Sequence, residues 1–304
     1  MDICNSDVIR ESILTIVNTQ IEQQELKEQL LHYVDYQSQN GFSFGELLIL
    51  HYNTFNGEDS EEIYTVAAAV EILILSFDIL DDIEDADSAD KPWSIEPDLA
   101  LNATTILLFI SAKVMIDTSF PNKGEAISIL LKYALQSING QHKDLLNICR
   151  TEADYMEMTL EKSGSLTELA CLIGAVLATK DYPKEVKAYA GLIGLICQIN
   201  NDLTDIATRH EKNDLINKKY TLPIIYLLNN EDDELQIIRD YYDGKTDIRE
   251  VVKKQQLIDE KIIETGAITY TEVMKRIQQN KALTEVKKLT INQAHFNQLK
   301  KYIY

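Results

Sequence analysis

Two short acidic clusters hold the residues with the clearest chemical potential: Asp81-Asp82-Ile83-Glu84-Asp85 and Asn201-Asp202-Leu203-Thr204-Asp205. Residues four apart share one face of a helix, about one turn from each other. Asp81 therefore lies above Asp85, and Asn201 above Asp205. An apolar run precedes each cluster, from Ala67 to Leu80 and from Ala188 to Ile199. Carboxylates gathered at the mouth of an apolar cavity repel one another unless they stay wet or cations neutralise them. Oxygen ligands in this pattern suit Mg²⁺, which bridges a few carboxylates to substrate phosphates. The chemistry implied is that of a hydrophobic diphosphate. For either cluster alone a solvated helix end is the competing reading, and the pairing of two clusters argues against it.

The elements that must carry these residues are helices. Apolar residues recur with helical spacing almost end to end, and Gly (11) and Pro (5) are scarce. Helices are expected near 6–19, 21–38, 43–54, 60–86, 97–118, 122–149, 150–162, 165–179, 183–209, 221–229 and 231–243, with two or three more after 246. Asn56-Gly57, Lys91-Pro92, Pro121-Asn122 and Tyr182-Pro183 punctuate them. No linker or repeat divides the chain, so one all-α domain over 1–304 is expected, with a C-terminal helical layer over about 231–304.

Composition excludes several classes. The formal charge is −20, which disfavours nucleic acid and anionic membranes. Lys253-Lys254 and Lys287-Lys288 read as solvated helix faces. No two of Cys4, Cys149, Cys171 and Cys197 have metal-ligand spacing, and Cys171 and Cys197 are expected to be buried thiols. Charged residues interrupt the apolar runs before membrane-spanning length. No signal peptide is seen near the start. A soluble cytoplasmic protein is the expectation.

With the clusters placed, the chain resembles the class I isoprenyl diphosphate synthases. Glu71 stands ten residues before Asp81, Gly140-Gln141 with Asp144 resembles a GQxxD segment, and Lys162-Ser163-Gly164-Ser165-Leu166 resembles a KTaxL element. Gly194 and Gln198 precede Asn201, and Asp214, Lys219, Thr221, Leu222 and Pro223 follow a DxxxxKxTLP pattern. The likeness spans about 40–230. It implies a helical bundle whose central apolar cavity is capped by two Asp-rich helices. It implies Mg²⁺, three ions with diphosphate bound, and an allylic prenyl diphosphate as substrate. Asp81 and Asp85 are the expected bridging ligands with Asp82 beside them, and Asn201, Asp202 and Asp205 serve a further ion. Lys162 and Lys219 are expected to clamp the diphosphate, with Gln141 also at the substrate. A homodimer is compatible with the family.

The chain departs from that family where a second diphosphate would bind. No arginine occurs between residues 11 and 149, and phosphate recognition relies on Arg forks or Lys charge. The allylic half-site is kept and the homoallylic half is not. Phe42-Ser43-Phe44, Ile49-Leu50-His51-Tyr52, Glu71 to Ser76 and Gly140-Gln141-His142 resemble a branch of the family that prenylates a tryptophan of a precursor peptide during quorum-sensing pheromone and competence signalling. That likeness implies attack by indole C3, followed by closure of a backbone nitrogen on C2. A short-chain prenyl diphosphate synthase, a terpene cyclase and an inactive partner subunit are the alternatives. For a cyclase, Asp205 and Arg209 stand where an NSE-type triad would need Ser/Thr and Glu.

Several side chains carry two readings each. Gln198, one turn before Asp202, either stabilises an allylic cation with its carbonyl dipole or is a polar core residue. Phe77, one turn below Asp81, is the cavity floor or ordinary packing. Asp78 points to the acceptor side or bonds a neighbouring helix. Trp93, the only Trp, stacks on an acceptor indole or packs. His210 and Lys212 are further candidates for the diphosphate.

Overall fold

A computed structural model describes residues 5–85, 91–207 and 214–304. Among them are fifteen α-helices and no strand. The first four are α1 (Asn5–Gln20), α2 (Gln24–Ser38), α3 (Ser43–Thr54) and α4 (Glu62–Glu84). Asn56, in the left-handed region at φ 60°, stops α3, and its short polar side chain tolerates that conformation. Helix α4 is apolar on nearly all sides from Ile63 to Ile79 and is buried accordingly. It packs on α1, α3 and α5 (Pro97–Asp117). By length and composition α4 and α5 could each cross a membrane, although Glu71 and Asp78 interrupt the apolar run of the one and Lys113 that of the other. For α4 the apolar character is explained by its place in the core.

Helices α6 (Lys123–Leu145), α7 (Glu152–Thr159), α8 (Ser165–Thr179) and α9 (Lys184–Ala207) complete the wall around the site. The sequence suggested a break near 163. Instead α7 runs into α8 through a widened π turn, Leu160–Gly164, of the kind often found at functional sites. Close backbone packing holds this turn. A Cβ on Gly140 of α6 would lie 2.3 Å from Lys162 N, and one on Gly194 of α9 would lie 2.5 Å from Ser163 O. Only glycine fits at either position.

The remaining helices are α10 (Leu222–Leu228), α11 (Gln236–Tyr242), α12 (Ile248–Lys253), α13 (Gln255–Glu264), α14 (Ala267–Val286) and α15 (Gln293–Ile303). Four of them follow residue 246, against the two or three expected. Their separators are single polar residues or short turns that leave the 3.6-residue pattern almost unbroken. Residues of α10 to α13 build a hydrophobic cluster of their own around Ile224, Leu235 and Ile238, while α14 packs along α9.

Candidate active site

The last turn of α4 brings Asp81 and Asp85 opposite the π turn and the segment before α10. Lys162 Nζ donates to Asp81 Oδ1 at 3.0 Å and to Asp144 Oδ2 at 2.9 Å. Lys219 Nζ donates to Asp85 Oδ1 at 2.8 Å and lies 3.6 Å from Asp144 Oδ2. Asp81 and Asp85 are thus each paired with a lysine rather than set against one another. Burial works against both ammonium groups, but Asp144 with Asp81, and Asp144 with Asp85, outweigh it and raise both lysine pKa values. Burial alone would raise Asp144, yet the two lysines hold its carboxyl below the ordinary range.

The second cluster ends α9. Asp202 is 2% exposed and accepts from Tyr155 Oη at 2.5 Å and from Gln198 Nε2 at 2.9 Å. Burial lifts its pKa to about 6 against those two donors. Because a carboxylate only accepts, the Gln198 amide nitrogen must face it. Gln198 Oε1 is thereby turned toward Ser163, whose hydroxyl donates to it at 3.3 Å. Asp205 accepts the backbone N–H of Asp214 at 2.7 Å, and burial together with Asp205 and Asp202 raises the Asp214 pKa.

Magnesium suits this donor set. A pocket of about 250 Å³ gathers six aspartates, 81, 85, 144, 202, 205 and 214, against Lys162 and Lys219. Both acidic clusters also sit at helix C-termini, where the macrodipole disfavours negative charge. A surplus of carboxylate oxygens there favours hard cations. Among the described residues no three acidic or imidazole side chains already converge on one point. Mg²⁺ commonly takes one or two carboxylates and completes its shell with water and phosphate oxygens.

A larger cavity of about 570 Å³ opens beside this pocket. The two share Asp81, Lys162, Ser163, Gln198 and Asn201. From that charged end the walls become apolar, with Phe44 and Leu47 of α3, Phe77 of α4, Leu166 of α8 and Ile193 of α9. Among the described residues Lys162 is the only lysine or arginine that lines it.

The expected site residues are therefore brought together, with differences in detail. Asp81, Asp85, Asn201, Asp205, Lys162 and Lys219 share the small pocket. Phe77, Asp78 and Gln141 line the large cavity, and Gln141 Nε2 donates to Glu84 Oε2 at 2.9 Å. Asp82 is turned aside, bonded by Lys91 and by Trp93 Nε1, so its carboxylate and that of Asp202 are both engaged by protein donors. Trp93 is 2% exposed and packs edge-on to Tyr33 and Tyr36. Its packing reading holds, and stacking on an acceptor does not. Cys171 is buried, but Cys197 is exposed and lines the cavity rather than the core. Arg209, His210 and Lys212 lie outside the described residues, as does Cys4. Asp144, Asp214 and Tyr155 were not singled out as site residues. Asp144 and Asp214 were visible only as motif members, and Tyr155 gave no signal of its own.

The chain belongs to the polyprenyl synthetase family, whose sequence pattern matches residues 24–260, a wider span than the 40–230 expected. Its relatives include the tryptophan prenyltransferase ComQ of Bacillus spizizenii, 33% identical over 278 residues, or 91% of this chain and 98% of that one. The tryptophan prenyltransferase ComQ of Bacillus subtilis subsp. natto is 34% identical over 308 residues, or 98% and 92% of the two chains. A geranylgeranyl pyrophosphate synthase from Lactobacillus brevis superposes with a TM-score of 0.82 at 18% identity, over 98% of this chain and 94% of that one. At that identity the likeness is one of fold.

Proposed function

We propose that the chain transfers a geranyl or farnesyl group from its diphosphate to a tryptophan of a precursor peptide, in the maturation of a quorum-sensing pheromone. The observation that carries this reading is one cavity with two unlike ends. One end has paired lysines and an excess of carboxylates suited to Mg²⁺-diphosphate. The other is apolar and offers no Lys or Arg, among the described residues, to hold a second diphosphate. The named activity of the ComQ relatives agrees with it.

Asp81, Asp85, Asn201 and Asp205 would hold the ions, three with diphosphate bound, and Mg²⁺ there neutralises charge on the diphosphate. Lys162 and Lys219 exchange their carboxylate partners for diphosphate oxygens and stabilise the leaving group more as its charge grows. Asp144 stays between them as counter-ion. Asp202 fixes the Gln198 amide so that its carbonyl faces the cavity, where an allylic cation is stabilised by that dipole. Phe44, Leu47, Phe77, Leu166 and Ile193 keep water from the cation. The protein acts in the cytoplasm as a homodimer. Support for the dimer comes from large apolar side chains left exposed on α5 and α6, among them Phe109, Ile116, Leu131 and Leu135.

The test is to incubate the chain with Mg²⁺, geranyl or farnesyl diphosphate and a Trp-containing peptide, then weigh the peptide. A gain of one prenyl group that vanishes when the peptide's Trp becomes Phe is expected. Micromolar isopentenyl diphosphate should neither inhibit nor be incorporated. A longer prenyl diphosphate, or cyclic hydrocarbons beside an unaltered peptide, would overturn the reading in favour of a synthase or a cyclase.

A further inference from the structure

Of the three carboxylates on the wall of the large cavity, Asp81 is paired with Lys162 and Glu84 accepts from Gln141, which leaves Asp78. It lines the large cavity with Ser43, Phe44, Phe77 and Tyr302 and does not line the small charged pocket. Gln37 Nε2, from α2, donates to Asp78 Oδ2 at 3.1 Å. Among the described residues its other oxygen takes no hydrogen bond and neither oxygen has an ion pair. Lys91, whose field reaches Asp78, is committed to Asp82, and Lys162 of the cavity wall to Asp81 and Asp144. A part-buried carboxylate with a free oxygen seeks an N–H or O–H donor, and an acceptor that displaces water from the cavity brings one.

We propose that Asp78 is the proton acceptor of the alkylation, taking the proton that the acceptor's nitrogen releases. This rests on the tryptophan-prenylation reading and adds a residue to it. The donor C1–O bond breaks and diphosphate leaves with the electron pair. Indole C3 bonds to C1, which leaves a cationic C2=N unit. A backbone nitrogen of the same residue then bonds to C2. Its N–H electron pair stays on nitrogen, and the proton passes to Asp78 Oδ1. Atoms and charge balance with no further reactant.

The surroundings suit that task. Burial, then Asp81 and Asp82 on its own helix, raise the Asp78 pKa to about 7, against the bond from Gln37 and the field of Lys91. A base works best with its pKa near the working pH. The rivals are the departing diphosphate, whose oxygens the lysines and cations would hold, and His142 and Glu84, which line the same cavity. Glu84 already accepts from Gln141.

The experiment compares wild type, Asp78→Asn and Asp78→Glu with donor, Mg²⁺ and the Trp peptide, counting peptide alkylated per diphosphate released. Asn can still accept from Gln37 through its carbonyl, so a purely structural role would survive the change. The expected result is near-stoichiometric coupling in wild type and a fall of about tenfold or more in Asp78→Asn. Diphosphate release persists as the cation is lost to water, and Asp78→Glu recovers part of the coupling. Unchanged coupling in Asp78→Asn, or an equal fall of both products in a folded variant, overturns the proposal. Asp78→Ser is read instead if circular dichroism shows the Asn variant unfolded. If wild type leaves the peptide unmodified, the tryptophan reading itself has failed and the proposal falls with it. Wild-type coupling with an indifferent Asp78 sinks the proposal alone.

Discussion

At the Lys162–Lys219 end of the cavity, Asp81, Asp85 and Asp144 find their counter-charges within hydrogen-bonding reach. At the Phe44–Phe77 end one aspartate stands among apolar side chains with a single amide for company. The first arrangement is a set of exchangeable ion pairs. A diphosphate can take the lysines and cations can take the carboxylates, so little is lost when substrate arrives. The second offers no such exchange, and a second anion entering there would meet Asp78 and no cation among the described residues. On the reading proposed above, charge alone tells the diphosphate end of the cavity from its apolar wall.

That contrast breaks most completely at the metal face. Asp81→Ala or Asp85→Ala should lower kcat for peptide alkylation by ~1000-fold or more, beyond the 10²–10³ typical of losing one stabilising donor. Circular dichroism should show the fold intact, since these carboxylates are partly exposed and their lysine partners retain Asp144. Variants that unfold would show the face to be structural. Lys162→Ala comes next, with kcat/KM for the donor down by about 10²–10³-fold and the acceptor KM little changed. A larger effect on acceptor than on donor would blur the two halves.

Phe77 sharpens the comparison from the apolar side. Each buried CH₂ is worth about 0.8 kcal/mol, so room for five more carbons is worth on the order of 3–4 kcal/mol, or a few hundredfold in binding. Phe77→Ala should move donor preference one isoprene unit longer, read from kcat/KM for geranyl, farnesyl and geranylgeranyl diphosphates. An unaltered ranking in a folded variant would assign Phe77 to packing.

The smallest effect lies deeper in α4. Glu71 is buried and accepts the Gly45 N–H at 2.5 Å, and burial, with Asp78 and Glu46 nearby, raises its pKa to about 8. The folded state therefore holds a proton that the unfolded chain releases near the ordinary carboxyl value of 4.5. This contribution is complete below that value and is lost as pH rises through about 8. Glu71→Gln, which still accepts from Gly45, should raise Tm by a few degrees above pH 8 and leave it nearly unchanged at about pH 4, below the unfolded carboxyl's own titration. Thermal melts across that range decide it.

Much of this was legible in the residues. The acidic clusters, the apolar runs before them and the two motif lysines are local patterns, and local patterns survive folding. The missing arginines were equally plain, because an absence over a long span needs no geometry to read. What escaped depended on distant partners. Asp144 matters because it sits between two lysines from different segments, and Asp202 because Tyr155 reaches it from α7. The π turn at Lys162 was hidden because one extra residue in a helical run barely disturbs its periodicity. Trp93 needed Tyr33 and Tyr36, some sixty residues earlier, to fix its role. Cys197 was misjudged because an apolar helix face can border a cavity as readily as a core.

The cage around Trp93 has a bearing on how such an enzyme survives its own chemistry. A catalyst that releases a carbocation toward indoles is a hazard to any indole it carries. This chain carries one, walled in by two tyrosine rings, its N–H spent on Asp82 and its surface 2% exposed. The same indole ties the turn at Pro92–Ser94 to Asp82 and is not among the residues that line the cavity. The protein thus holds the functional group it consumes in others, in a form that is chemically silent to itself.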